Sequence, residues 1–123
     1  MNNVIIALGS NHQQAAHIEW ASQRLASVVR SLRFSRRLWT ADSHGRGMSY
    51  MNRLACGTTS LTADDLQQAL KAIETETRRT PGRVTIDLDL MLYGDSRYHL
   101  SDWPRPYIQQ LLPDIQQLLP GTL

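Results

Sequence analysis

The stretch Arg83 to Asp95, R-V-T-I-D-L-D-L-M-L-Y-G-D, constrains this chain more than any other. It is the most strand-like run in the sequence, and it carries two acids in its middle. Successive side chains of a strand point to opposite faces. Ile86, Leu88 and Leu90 therefore share one face, while Arg83, Thr85, Asp87 and Asp89 share the other. Carboxylates two residues apart project side by side, and burying such a pair is costly unless a cation stands between them. Magnesium suits the place: it is hard and oxygen-seeking, and commonly takes one or two carboxylates while water and substrate phosphate complete its shell. A strand whose acids simply face water is the plain alternative, because D-x-D is a short motif.

The rest of the chain sets the frame for that strand. With 123 residues, the sequence is read as one domain over 1–123, enough for a single core. No run of about 18 apolar residues occurs, and the N-terminus opens on a strand pattern rather than a basic then apolar leader, so a cytoplasmic protein is expected. Cys56 is the sole cysteine, which excludes an internal disulfide and a cysteine-rich zinc site. Net charge is +2, yet of the 13 basic residues only Lys71 is a lysine. Arginine's planar fork suits phosphate and carboxylate recognition. Compositional bias explains the excess equally well.

In chain order, Asn3 to Leu8 is a short β-branched run stopped by Gly9-Ser10-Asn11, a strand ending in a turn. From about Gln13 to Leu32, Ala21, Leu25, Val28, Val29 and Leu32 recur at helical spacing and predict an amphipathic helix. Arg33 to Thr40 reads as an edge strand and Ala41 to Ser49 as a loop, whose His44 is a bystander or a ligand. Arg53 to Leu61 follows as a strand. Thr62 then caps a second helix, striped by Leu66, Ala69, Leu70 and Ile73 and ending near Arg78. Glu74 lies late in this helix, where an exposed glutamate needs no special explanation. Ile108 to Pro120 carries I-Q-Q-L-L-P twice, which predicts two short helices broken at Pro113.

Three of these segments carry a resemblance. V-I-I-A-L-G-S-N from Val4, Y-M-N at Tyr50 to Asn52, and T-I-D-L-D-L-M-L-Y-G from Thr85 are similar, in this order, to the motifs of the 6-hydroxymethyl-7,8-dihydropterin pyrophosphokinase (HPPK) family. The resemblance implies an α+β, ferredoxin-like (split βαβ) antiparallel sheet with amphipathic helices, expected here on one face of the sheet. It implies transfer of a pyrophosphoryl group from ATP to 6-hydroxymethyl-7,8-dihydropterin in folate synthesis, with two magnesium ions held by Asp87 and Asp89. Thr40, Tyr50, Asn52 and Tyr107 become candidate pterin contacts. Arg78, Arg79, Arg83 and Arg105 become candidate phosphate clamps, with Arg83 a catalytic candidate beside the two aspartates, and Glu74 falls where the family carries a glutamate late in its helix.

The chain also departs from the family's pattern. Ala41 and Asp42 stand where prolines are usual, Thr80 follows Arg79 where the family has tryptophan, and the loop before the acidic strand is short. Arg83 lies four residues before Asp87 instead of three, which in a strand reverses the side on which it emerges. Trp103-Pro104-Arg105-Pro106-Tyr107 is compressed, so Arg105 stands either for the family's P-H-P histidine or for its later arginine. These departures admit a catalytically weak homologue that binds nucleotide or pterin. A basic ferredoxin-like nucleic-acid-binding module is the reading from another class, although the aromatic motif of RNA-recognition sheets is missing.

Overall fold

The computed structural model describes residues 1–41, 49–77 and 83–116. Its central strand is β1 (Asn2–Ser10), with Val4 to Leu8 buried throughout. A strand without polar alternation has to be covered on both faces, and this one is. Val4, Ile6 and Leu8 pack with Ile18, Ala21, Leu66, Leu70 and Ile73 in one cluster. Ile5 and Ala7 pack with Ile108, Leu111, Leu112 and Ile115 in the other. Helices α1 (Gln14–Arg24) and α2 (Ala63–Thr75) thus lie on one face and α3 (Pro106–Gln116) on the opposite one. The α+β class is as the sequence reads. The expectation of helices on a single face is corrected, because β1 supplies two apolar faces and both must be buried.

The sheet is antiparallel, in the order β2-β4-β1-β5-β6 with β3 also paired to β4. Its remaining strands are β2 (Arg30–Phe34), β3 (Leu38–Ala41), β4 (Ser49–Thr59), β5 (Asp87–Tyr93) and β6 (Ser96–Arg97). The first helix is shorter than its apolar spacing predicts. A 3-10 turn at Leu25–Ser27 closes it, and Leu32 and Phe34 instead alternate along β2 against the first cluster. A register shift between Arg30 and Arg33, with Ser31 at φ 54, forms a bulge. Opposite it sits Gly57, where an added Cβ would lie 2.5 Å from both the Arg30 carbonyl and Val29 Cγ1. The strand predicted over Arg33 to Thr40 is divided at Ser35. That residue donates its N–H to the Leu54 carbonyl and accepts the Leu54 N–H on its hydroxyl, both at 2.8 Å.

Thr62 caps α2 as expected, its hydroxyl accepting the Asp65 N–H at 3.1 Å. The helix ends at Thr75, before Arg78. At the C-terminal end, α3 runs through Pro113 without breaking. The two-helix expectation fails there because Ile108, Leu111, Leu112 and Ile115 form one unbroken buried stripe, whose burial outweighs a proline penalty of about 3 kcal/mol. Pro113 itself is exposed. Among the described residues, no helix is long and apolar enough to cross a membrane.

Candidate functional site

Strand β5 begins at Asp87, with Leu88 and Leu90 directed into the α1/α2 cluster. Alternation puts Asp87 and Asp89 on the α3 face. Between Ile5 and Ile6 the β1 register shifts by one residue, so Met91 is extra and both Met91 and Leu92 enter the α3 cluster. The bulge lets an apolar end and an acidic end share one face of the same strand. Pairing then sets the acids beside the two smallest side chains of β1, Asp87 opposite Gly9 and Asp89 opposite Ala7. On its other side Gly9 pairs with Asn52 of β4. Asn52, Gly9 and Asp87 form one row across three strands, which places Asn52 and Asp87 about 10 Å apart over a floor with no side chain.

The result is a small, solvent-open cleft lined by Ala7, Leu8, Gly9, Tyr50, Asn52, Asp87, Asp89 and Tyr107. Tyr107 enters from the first turn of α3, and its phenol is pushed above its ordinary pKa. Burial is the main cause, followed by the negative field of Asp102, and then of Asp89 and Asp87, against the opposing effect of Arg105. A neutral phenol therefore stands beside the carboxylates, able to donate a hydrogen bond.

Asn52 is 6% exposed. Its amide nitrogen donates to the Thr40 hydroxyl at 2.8 Å and, more weakly, to the Leu38 carbonyl at 3.4 Å. With both donors directed at β3, the amide oxygen is turned toward Gly9, where an added Cβ would lie 3.5 Å from it. The cleft is offered an acceptor. Tyr50 is held by Asn11, whose amide donates to the phenol oxygen at 3.3 Å. The same Asn11 exchanges two hydrogen bonds with the backbone of Val84, at 2.7 and 2.9 Å, and so fixes the approach to β5.

The fold thus gathers Tyr50, Asn52, Asp87, Asp89 and Tyr107 in one place. Thr40 stands behind Asn52 with its hydroxyl bound to that amide. Arg83 is exposed and precedes the strand, so the expected face shared by Arg83, Thr85 and the acids is corrected: three residues separate Arg83 from the start of β5. Thr85 is buried and shares a hydroxyl contact with Thr77 at the end of α2. Arg105 donates to Asp102 at 2.9 Å on the surface and does not line the cleft. Arg78, Arg79, Asp42 and His44 lie outside the described residues.

Two acid-side contacts lie outside the candidate site residues named from the sequence. His99 Nε2 lies 3.8 Å from Asp89 Oδ1, carried there by a left-handed backbone at φ 52 in the connection between β6 and α3. Its place in the polar and aromatic connection after the acidic strand was the available signal. Glu74 is half-buried, and its carboxylate accepts the N–H of Leu88 at 2.8 Å, between the two aspartates in sequence.

Residues 5–117 match the model of the family described as 7,8-dihydro-6-hydroxymethylpterin-pyrophosphokinase (HPPK). A curated relative, the folate synthesis bifunctional protein of Chlamydia muridarum (strain MoPn / Nigg), is 33% identical over 109 residues, covering 79% of this chain. The aligned region is 24% of that relative, so the chain spans about a quarter of its length. With a family match running from β1 to the end of α3 and the motif residues meeting in one cleft, this chain belongs to the HPPK family.

Proposed function

We propose that this protein transfers the pyrophosphoryl group of ATP to the hydroxymethyl oxygen of 6-hydroxymethyl-7,8-dihydropterin. The oxygen attacks the β-phosphorus and loses its proton, AMP leaves, and the pterin diphosphate forms. The observation that carries this reading is the row Asn52, Gly9 and Asp87, which sets an amide acceptor and a carboxylate pair about 10 Å apart across a bare floor. A flat bicyclic ring laid over Gly9 would offer its N–H edge to Asn52 and direct its hydroxymethyl arm toward the acids. Tyr50 and Tyr107 flank that path and supply aromatic surface.

Asp87 and Asp89 provide hard oxygen donors on one strand face, both partly open to the cleft, and this donor set fits magnesium. Asp87 and Asp89 would hold two magnesium ions with ATP, which would supply neutralisation of the phosphate charge. The protein's part is alignment: the amide of Asn52 orients the acceptor, the cleft holds the reacting groups together, and arginine pairs with phosphate. Arg78, Arg79, Arg83 and Arg105 are the arginines proposed for that last role.

Pterin or nucleotide binding with slow turnover is the second reading, favoured by the exposed position of Arg83 ahead of the acid-bearing strand. Nucleic-acid binding on an open sheet receives no such support, since α3 packs on the face opposite α1 and α2.

The test is AMP release with both substrates, alongside calorimetric titration of ATP in the presence of magnesium. Asp87→Ala and Asp89→Ala should each abolish magnesium-dependent nucleotide binding and turnover while the protein stays folded. Wild-type nucleotide affinity in both variants would remove the metal assignment. Tight binding of both substrates with AMP release far below that of other family members would select the second reading.

A further inference from the structure

Strand β5 is unevenly supported. On one side β1 pairs with it from Asp87 to Tyr93. On the other, among the described residues, β6 reaches only Leu92 and Tyr93, leaving the acid-bearing half at an edge of the sheet. The Leu88 N–H opens onto that edge, and Glu74 Oε2 accepts it at 2.8 Å. This N–H belongs to the peptide group between Asp87 and Leu88, with Asp89 one residue further on, so holding it fixes the backbone from which both acidic side chains project.

Glu74 is well placed to hold it. It lies in the last turn of α2, next to buried Ile73, on a helix anchored by Leu66 and Leu70 and capped by Thr62. Nearby contacts reinforce the same segment: Thr77 meets the Thr85 hydroxyl, and Asn11 holds Val84 through two hydrogen bonds. Of these three backbone-side contacts, that of Glu74 falls within the acidic stretch itself.

We propose that Glu74 is a positioning residue, its carboxylate fixing the Leu88 peptide so that Asp87 and Asp89 enter the cleft as a preset cation-binding pair. The inference rests on the reading of these two acids as metal ligands. Outer partners that orient ligands typically change metal affinity by about 10- to 100-fold when removed.

The experiment compares the wild type with Glu74→Ala, Glu74→Gln and Glu74→Met. It measures magnesium-dependent ATP affinity by calorimetry and hydrogen exchange at the Leu88 amide by NMR. Glutamine retains a carbonyl acceptor, whereas methionine preserves the aliphatic stem without a comparable acceptor, which covers the case in which alanine unfolds the helix end. The expected result is roughly tenfold weaker affinity and faster Leu88 exchange for alanine or methionine, with near-wild-type values for glutamine. Wild-type affinity in the alanine and methionine variants, while Asp87→Ala and Asp89→Ala lose binding, overturns the positioning role alone. Equal loss for glutamine and methionine also overturns it, since charge rather than hydrogen-bond geometry would then be at work. Unchanged affinity in both aspartate variants overturns the metal reading and the positioning role together.

Discussion

Under the proposed function, Thr40→Val separates a residue that would touch the pterin from one that aims another at it. The change keeps the shape of the side chain and deletes the hydroxyl that accepts from Asn52 at 2.8 Å. Asn52 is buried, and its amide nitrogen would be left with the Leu38 carbonyl at 3.4 Å, near the limit of a useful bond. A net hydrogen bond contributes about 1 kcal/mol, and an unsatisfied buried donor costs about 1–3 kcal/mol. The variant should therefore lose about 1–2 kcal/mol of stability, or roughly 3–8 °C in Tm. If about 1 kcal/mol of amide orientation is lost on the ligand side, pterin affinity falls roughly fivefold and ATP affinity stays put. A double-mutant cycle with Asn52→Ala, read by calorimetry, makes the assignment. Asn52→Ala alone should weaken pterin far more than ATP, and in that background Thr40→Val should have almost no further effect on pterin. An undiminished Thr40→Val penalty in the Asn52→Ala background would refute the reasoning, because Thr40 would then contact the ligand itself.

Other consequences follow from packing and charge. Gly57→Ala should destabilise the protein by about 1–3 kcal/mol in urea titration, since its Cβ meets the Arg30 carbonyl and Val29 Cγ1 at 2.5 Å; a neutral outcome would contradict the close strand approach. The Cys56 thiol is 2% exposed and pushed up in pKa by burial, against a smaller lowering by Arg33, so a thiol reagent should label it only as the protein opens. Rapid stoichiometric labelling of native protein would disprove that placement. Tyr107 holds its proton to higher pH when folded than when unfolded, so its stability contribution is complete below the ordinary tyrosine pKa of about 10 and is lost as pH rises through the folded value. Tyr107→Phe should reduce this alkaline loss in thermal melts, and an unchanged pH profile would count against it.

The sequence by itself determined the period-two alternation, the Thr62 cap and the motifs that place Asn52, Asp87 and Asp89 in register with a family. Those are local patterns, or patterns shared among relatives, and they need no knowledge of what packs where. It overextended the first helix, because Val28, Val29 and Leu32 match a helical spacing by coincidence while a bulged strand beside β4 buries Val29 and packs Leu32 and Phe34. It broke the last helix at Pro113, because the gain from one continuous stripe against β1 and β4 is a tertiary quantity. It set Arg83 beside the acids, since alternation carries no information about where a strand begins. Only the tertiary structure decided that both faces of β1 are covered, that Gly9 leaves a bare floor between Asn52 and Asp87, and that His99 stands beside Asp89. The same holds for the contact of Glu74, which the resemblance marks only as a glutamate late in its helix. Its partner is the backbone N–H of Leu88, fourteen residues away in sequence, and a main-chain donor leaves no mark in the sequence for a motif to read.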